Sequence, residues 1–377
     1  MPHIEKRDDK YIAVVEVGTR GKRKRRYKTF RRKRDAENWI ASMTVSMNEG
    51  KYVSKNNLNV ADHMDYWLEN EKKPHLATTT YDSYKNRINA YIKPEIGYIT
   101  LQELETYHLM QFFNYLRMHG SIRNKGGLSE STIKKVYVQL NAALDWAVKA
   151  KILNHNPMKA VESPKPKDTE MPVMTSGEVK LLLDTVEGDM FMHTFLNFAV
   201  MTGLRKSEML GLEWQDINDN IVSVRKRLVV SMHTKEKYKH ENETKRSASK
   251  RDVVMPGKLV DLLKKWKLHQ NKIKLKHKFR PEKNFVFAKA NGEPYYPSTI
   301  SHKAKKAILN AGLSDKYSLH TLRHTFATIS LNKNKIPVKI VQQMLGHAKS
   351  STTLDTYTHA DLDMQKDAAQ KISEAFG

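Results

Sequence analysis

The sequence predicts an α+β, multidomain fold. A small three-stranded sheet with one helix comes first, then a central helical bundle, then a C-terminal domain that is mostly helical around a small antiparallel sheet. Three observations carry this. The chain has 377 residues, whereas one domain typically takes about 100–200. Apolar residues recur at helical spacing through the middle of the chain, while β-branched runs stand near its start and in its second half. Between them lies Ser163-Pro164-Lys165-Pro166-Lys167-Asp168, a charged, proline-containing stretch without apolar period that reads as an extended linker. The resulting boundaries are 1–56, 57–162, a linker at 163–170, 171–365, and a tail at 366–377.

Residues 11–17, Tyr-Ile-Ala-Val-Val-Glu-Val, have the composition of a strand. Gly18 and Gly21 bracket a turn, and residues 22–30 return as a second strand with Tyr27 and Phe30 set among cations. Residues 35–43 bring helix formers with Asp35 and Glu37 at the start, where acidic side chains favour the helix dipole. In the next unit the helical stripes are Val60, Met64, Trp67 and Leu68; Tyr81, Tyr84, Ile88 and Tyr91; Leu109, Phe112, Phe113 and Leu116; and Val136, Leu140, Ala143, Leu144, Ala147 and Val148. Such stripes are core-forming faces. Lys85 and Arg87 fall on the polar side of the second stripe, and residues 120–129 form a polar loop. The last unit opens with helices at 177–186 and 192–201. Residues 216–230, 252–256 and 284–287 then have strand character, and the remainder is helical.

Composition narrows the function. Sixty-six Lys and Arg against 41 Asp and Glu leave a net charge of +25 (66 − 41). An excess of that size repels itself unless a polyanion is the working partner, and nucleic acid is the usual one. A membrane-surface role lacks an amphipathic anchor, and no apolar run approaches the roughly 20 residues that span a bilayer. The N-terminal residues lack the apolar core of a signal peptide. Zero cysteines exclude disulfides and thiolate zinc sites and fit a reducing cytoplasm. A cytoplasmic protein without membrane contact is expected. The run Lys22, Arg23, Lys24, Arg25, Arg26 and Lys28 could be a solvated tail. Its place between a strand and a helix, with Tyr27 and Phe30 among the charges, favours DNA contact.

One polar constellation stands out: Arg205 in Thr202-Gly203-Leu204-Arg205-Lys206-Ser207-Glu208, then His320 and Arg323, then His347 after Leu345-Gly346, then Tyr357. Arginine presents a fork of donors that matches phosphate oxygens. Histidine passes or holds a proton near neutral pH. A tyrosine hydroxyl becomes a covalent nucleophile once its proton is taken and its target polarised. The set suits attack on a phosphodiester without a metal. Each member has a plainer reading. Arg205 and Glu208 at i,i+3 would often be a surface ion pair of little energetic consequence. His320 and His324 at i,i+4 could ligate a metal, although no glutamate follows the first histidine and no cysteine supports it. His347 could simply follow a helix end, and Tyr357 could be an ordinary half-buried aromatic.

Taken in this order, the residues resemble the tyrosine recombinase, or phage integrase, family. The family's pattern is Thr-Gly-Leu-Arg-x-x-Glu, a lysine on a β-hairpin, His-x-x-Arg, Leu-Gly-His and a tyrosine. Arg205, Lys245, His320, Arg323, His347 and Tyr357 match it one by one, with Lys250 as a second candidate for the lysine. The resemblance covers about residues 171–365. The helical and basic N-terminal units also look like the core-binding and arm-binding domains of lambda-type integrases.

The resemblance implies that Tyr357 cleaves a strand to give a 3′-phosphotyrosyl link and a free 5′-hydroxyl. Arg205 and Arg323 would clamp the non-bridging oxygens, and His320 would move the tyrosine proton or bind a phosphate oxygen. His347 would bond the phosphate and Lys245 would protonate the leaving oxygen. It implies no cofactor and no metal. The implied partners are double-stranded DNA at core and arm attachment sites, a homotetramer on that DNA, a DNA-bending protein and an excisionase. A prophage or a conjugative transposon is the implied setting. A type IB topoisomerase shares this chemistry, but the basic N-terminal unit and the Leu-Gly-His spacing argue against it. A non-catalytic DNA-binding protein of the same fold would not need the full residue set.

Overall fold

The computed structural model describes residues 2–17, 24–48, 56–121, 126–167, 171–230, 238–242, 250–276 and 284–346, with Lys24 and 238–242 given by their backbone alone. Two compact units divide the chain, Met1–Asp168 and Thr169–Gly377.

The first unit begins with β1 (His3–Arg7), β2 (Lys10–Val17) and β3 (Lys24–Phe30), an antiparallel sheet in the order β1-β2-β3. Only β2 carries a continuous apolar run, and Ala13, Val14, Val15 and Val17 are all buried. β1 has a single apolar residue, Ile4, so composition does not reveal it; pairing with β2 defines it, from His3 opposite Val14 to Arg7 opposite Lys10. α1 (Lys33–Asn48) packs on the sheet through buried Ala36, with Trp39 tilted against Phe30 at 6.2 Å between rings.

The helical part of this unit comprises α2 (Val60–Tyr66), α3 (Thr78–Arg87), α4 (Lys93–Ile96), α5 (Thr106–His119) and α6 (Glu130–Lys149). A wide π-type turn, Trp67–Lys72, continues α2, and a second, Ile88–Ile92, joins α3 to α4. Asn59 caps α2, its side chain accepting from the Asp62 amide at 2.7 Å. The core contains Met64, Trp67, Ile88, Leu109, Phe113, Val136, Leu140 and Leu144, as the stripes predict. His63 donates Nε2–H to the Ala143 carbonyl at 3.0 Å and so pins α2 to α6.

The second unit is built around α8 (Met190–Thr202), which follows α7 (Ser176–Thr185). Phe195, Leu196 and Phe198 are all fully buried, and a helix that is apolar all round belongs inside a domain. After α9 (Lys206–Gly211) come β4 (Ile217–Asn218), β5 (Ile221–Val224), β6 (Lys226–Val230), β7 (Tyr238–Asn242) and β8 (Arg251–Val254). They make a sheet in the order β4-β5-β8 and a separate β6-β7 pair. Helices α10 (Gly257–Lys276), α11 (Pro297–Asn310), α12 (Leu319–Thr328) and α13 (Val338–Leu345) complete the unit. One expected strand fails. Residues 284–287 make a single isolated bridge, Phe285 to Glu213, although Val286 donates to the Leu212 carbonyl at 2.9 Å. Their apolar character serves burial, with Val286 and Phe287 in the core beside Phe195 and Trp266. Among the described residues no helix is long and apolar enough to cross a membrane.

Candidate active site

The site grows from helix ends. α8 stops at Gly203, whose φ of +63° is left-handed. A Cβ there would lie 2.4 Å from the Phe326 ring, so the position needs glycine both for its backbone and for the close approach of α12. The chain turns and Arg205 becomes the N-cap of α9 with extended backbone. Glu208, one turn on, accepts the Arg205 amide at 2.8 Å and the Arg205 guanidinium at 2.7 Å. This is no surface pair, because Glu208 is wholly buried. Arg251 of β8 grips the same carboxylate, with Nη2 at 2.8 Å from Oε2 and Nη1 at 3.3 Å from Oε1. Burial would raise the Glu208 carboxyl, but the hydrogen bonds and charge of Arg251, joined by Arg205, hold it below the usual carboxylate range.

Three guanidiniums then converge on the end of α13. The last carbonyls of a helix have no partner within it and carry partial negative charge. Arg251 Nε donates to Met344 O at 2.6 Å, Arg323 Nη2 to Leu345 O at 2.8 Å, and Arg205 Nη2 to Gly346 O at 3.1 Å. Three successive carbonyls thus meet three arginines. Gly346, with φ +67°, ends the helix, and a Cβ on it would lie 2.7 Å from Arg251 Nη1. Arg323, which is buried, also donates Nη1 to Gly203 O at 2.6 Å and so joins the ends of α8 and α13.

Arg205, Lys206, Ser301, Ser318, His320 and Arg323 line a cleft of about 230 Å³. His320 and Arg323 reach it from one face of α12, as their i,i+3 spacing predicts. His320 is held below the ordinary histidine range, first by burial and then by the charges of Arg323, Arg205 and Lys206. An imidazole held in this way is neutral near pH 7 and keeps a nitrogen lone pair to take a proton or a hydrogen bond, as a weaker base than an ordinary histidine. His324 sits beside it, ring edge to face at 4.7 Å, and burial together with His320 and Arg323 pushes it to about 4. Lys206 donates to Ser301 Oγ at 2.6 Å and is depressed by burial. Among the described residues no group of three or more His, Asp or Glu gathers as a metal site would.

Of the six catalytic candidates, Arg205, His320 and Arg323 come together; Lys245, His347 and Tyr357 lie outside the described residues, as do Lys22 and Arg23. Lys250 is exposed just before β8. Lys24, Arg25, Arg26 and Lys28 all lie on β3; Arg25 is paired with Glu16 at 3.3 Å, and Lys28 sits over the Phe30 ring. Lys85 is 3.6 Å from the Glu69 carboxylate and donates to Tyr81 Oη at 3.2 Å. Arg87 donates to Gln139 at 3.0 Å and stacks over Tyr84, tying α3 to α6. The sequence reading missed Arg251 and Lys206. Arg251 looks like one more cation in a basic run, and its sole signal is that it opens the β-branched stretch Asp252-Val253-Val254.

The phage integrase family matches residues 172–363, and the phage integrase N-terminal SAM-like domain matches residues 59–117. A tyrosine recombinase XerC-like protein of Caldanaerobacter subterraneus is 26% identical, covering 99% of this chain and 98% of the relative. The ICEBs1 integrase of Bacillus subtilis is also 26% identical, covering 78% of this chain and 77% of its own length. Among solved structures, the Tn1549 transposon integrase bound to transposon right end DNA superposes with a TM-score of 0.68 at 18% identity, covering 84% of this chain and 99% of that one. A lambda integrase tetramer bound to a Holliday junction gives 0.59 at 17% identity, covering 94% and 97%. At these identities the structural likeness is one of fold.

Proposed function

The chain belongs to the phage integrase family of tyrosine recombinases, and from that premise we propose that Arg205, His320 and Arg323, with Lys245, His347 and Tyr357, form the catalytic set of this site-specific recombinase. One observation supports the assignment above the others: two arginines and a neutral histidine, far apart in sequence, line one cleft whose lining holds no acid.

The chemistry proceeds by two transesterifications. The Tyr357 oxygen attacks the scissile phosphorus, and His320, unprotonated near neutral pH, accepts the phenol proton or bonds a phosphate oxygen. Arg205 and Arg323 direct N–H groups at the non-bridging oxygens, where negative charge grows in the transition state. Their hydrogen bonds to the chain's own carbonyls fix both guanidiniums before DNA arrives. His347 adds a bond to the phosphate. The bond to the 5′-oxygen breaks, and Lys245, or Lys250 in its stead, supplies the proton. The 3′-phosphotyrosyl ester conserves the phosphodiester energy. A partner strand's 5′-hydroxyl reverses the step, and the second pair of strands repeats it. No ATP or metal enters the balance.

The helical unit and the catalytic unit would hold the core site, with phosphate contacts setting register and base contacts choosing sequence. The cationic β3 strand would engage a separate arm site, since a β-ribbon fits the major groove. Four copies would assemble on the crossing DNA, as the tetrameric lambda integrase on its junction suggests. Two DNA-binding modules on one chain call for a DNA-bending protein and an excisionase as partners, working in the cytoplasm on a prophage or conjugative transposon. A nicked suicide substrate carrying the core site tests the assignment. Tyr357→Phe should lose the covalent protein–DNA complex and keep DNA binding; an undiminished covalent complex would overturn it.

A further inference from the structure

The cleft holds a cation that the catalytic set does not use. Lys206 follows Arg205 directly and begins α9. Its ammonium is part-buried against α11, where it donates to Ser301 Oγ at 2.6 Å, and the Ser301 hydroxyl in turn donates a hydrogen bond to Pro297 O at 3.0 Å. Two part-buried lysines of this unit meet carboxylates, Lys226 with Glu213 at 3.1 Å and Lys289 with Glu293 at 3.2 Å, while Lys274 and Lys305 donate to neutral acceptors, Asn284 Oδ1 at 2.6 Å and Tyr317 O at 3.0 Å, outside the cleft. Among the described residues Lys206 has no carboxylate. An ammonium carries three donors, so Ser301 leaves two for a further acceptor. The ionisable residues that line the cleft are Arg205, Lys206, His320 and Arg323, and no acid among the described residues joins them. Removing a charge from water beside like charges is costly unless a ligand supplies the counter-charge.

We propose that Lys206 and Ser301 form a second phosphate subsite that binds the DNA phosphodiester next to the scissile one. The proposal rests on reading Arg205 and Arg323 as the scissile-phosphate clamp. Phosphates recur about every 3.4 Å of axis along one strand, so a lysine one residue from the clamp is placed for the neighbouring charge. Burial depresses Lys206, as expected of an ammonium whose folded environment lacks an anion. In this arrangement Arg205 and Arg323 act on the reacting phosphate, while Lys206 and Ser301 fix the strand's register beside it.

The test uses the full-length protein and core-site duplexes in which single phosphates flanking the scissile position are replaced by uncharged methylphosphonates. For the unmodified protein, one flanking replacement should lower affinity about tenfold. Lys206→Met should bind the unmodified duplex about as weakly, show no further loss at that position, and lower the slope of log K against log salt by about 0.9. Lys206→Arg should restore the wild-type pattern, and Ser301→Ala should weaken the same position alone, which separates a phosphate contact from a folding defect. An unchanged salt slope with an unchanged methylphosphonate profile in Lys206→Met would overturn the proposal, as would an effect confined to the scissile phosphate. Failure of the clamp reading would show differently, as normal cleavage by an Arg323 variant, whatever Lys206 does.

Discussion

Arg251→Met probes the frame on which the clamp stands. The substitution deletes two donors to Glu208, at 2.8 and 3.3 Å, and one to the Met344 carbonyl at 2.6 Å. It leaves a wholly buried carboxylate paired with Arg205 at 2.7 Å. Breaking a buried ion pair by removing one partner costs about 3–5 kcal/mol, and the surviving Arg205 contact places the expected loss near the lower end. The pH dependence changes too. In the native protein Glu208 titrates below its usual value, so its contribution is present above the unfolded pKa and is lost as pH falls through the folded one. Without Arg251 the depression shrinks, burial gains weight, and acid should destabilise the variant less steeply. Glu208→Gln combined with Arg251→Met should cost less than the two single changes summed, because neither partner is then left charged and alone. The assay is amide hydrogen exchange of α9 and α12 in the full chain, with and without urea. Local protection falling by less than about 1 kcal/mol in Arg251→Met, where the buried pair predicts about 3, would refute the reasoning.

Three other outcomes are expected. His324 titrates near 4 in the folded protein against 6.5 ordinarily, so the unfolded chain takes up its proton first and stability falls as pH drops through that window, by about 3 kcal/mol in all; urea midpoints between pH 4 and 7 should lose this slope in His324→Phe, and an identical slope would refute it. Arg323→Lys cannot hold Gly203 O and Leu345 O and also present a fork to phosphate, so cleavage of a suicide substrate should fall about 100-fold to 1,000-fold with core-site affinity little changed; cleavage at the normal rate would remove Arg323 from the clamp. A fragment starting at Asn57 should cleave core sites but lose arm-site binding, while the isolated 1–56 unit should bind arm DNA with steep salt dependence; no DNA affinity of that unit at low salt would end the arm-binding assignment.

Much of the fold is legible because periodic burial writes itself into sequence. Trp67, Leu109, Phe113, Leu140 and Leu144 sit at helical spacing, and each is core. Strands were harder. β1 is polar but for Ile4 and exists through its hydrogen bonds to β2, a non-local fact that composition does not carry. Residues 284–287 look like a strand for the opposite reason: a short apolar run marks burial, and here burial came without a ladder. The arginine and histidine of α12 were readable because i,i+3 spacing fixes their shared face. Arg251 was not readable, since nothing in a basic run tells which cation turns inward to a carboxylate 43 residues away. Arg87 shows the converse, a cation on an apparently polar face that the structure commits to Gln139 and Tyr84.

The burial of Glu208 explains how so many cations can be gathered before any DNA is bound. Arg205 and Arg251 share its carboxylate, and Arg205, Arg251 and Arg323 each hold one carbonyl at the end of α13. Those carbonyls form the negative end of a helix dipole, so the guanidiniums are offset from within by one full charge and several partial ones. Arginine fits this double duty because its five donors allow some to anchor while others face a ligand. A lysine in the same place would have to choose, and Lys206 shows the alternative, bound to a neutral hydroxyl with no acid beside it among the described residues. Donors fixed in this way need little reorganisation when charge develops on a phosphate, which is the condition under which electrostatic stabilisation is most effective. The same anchoring links the clamp to the end of α13, directly before His347, so displacing that helix end would pull on the donors of Arg205 and Arg323 together.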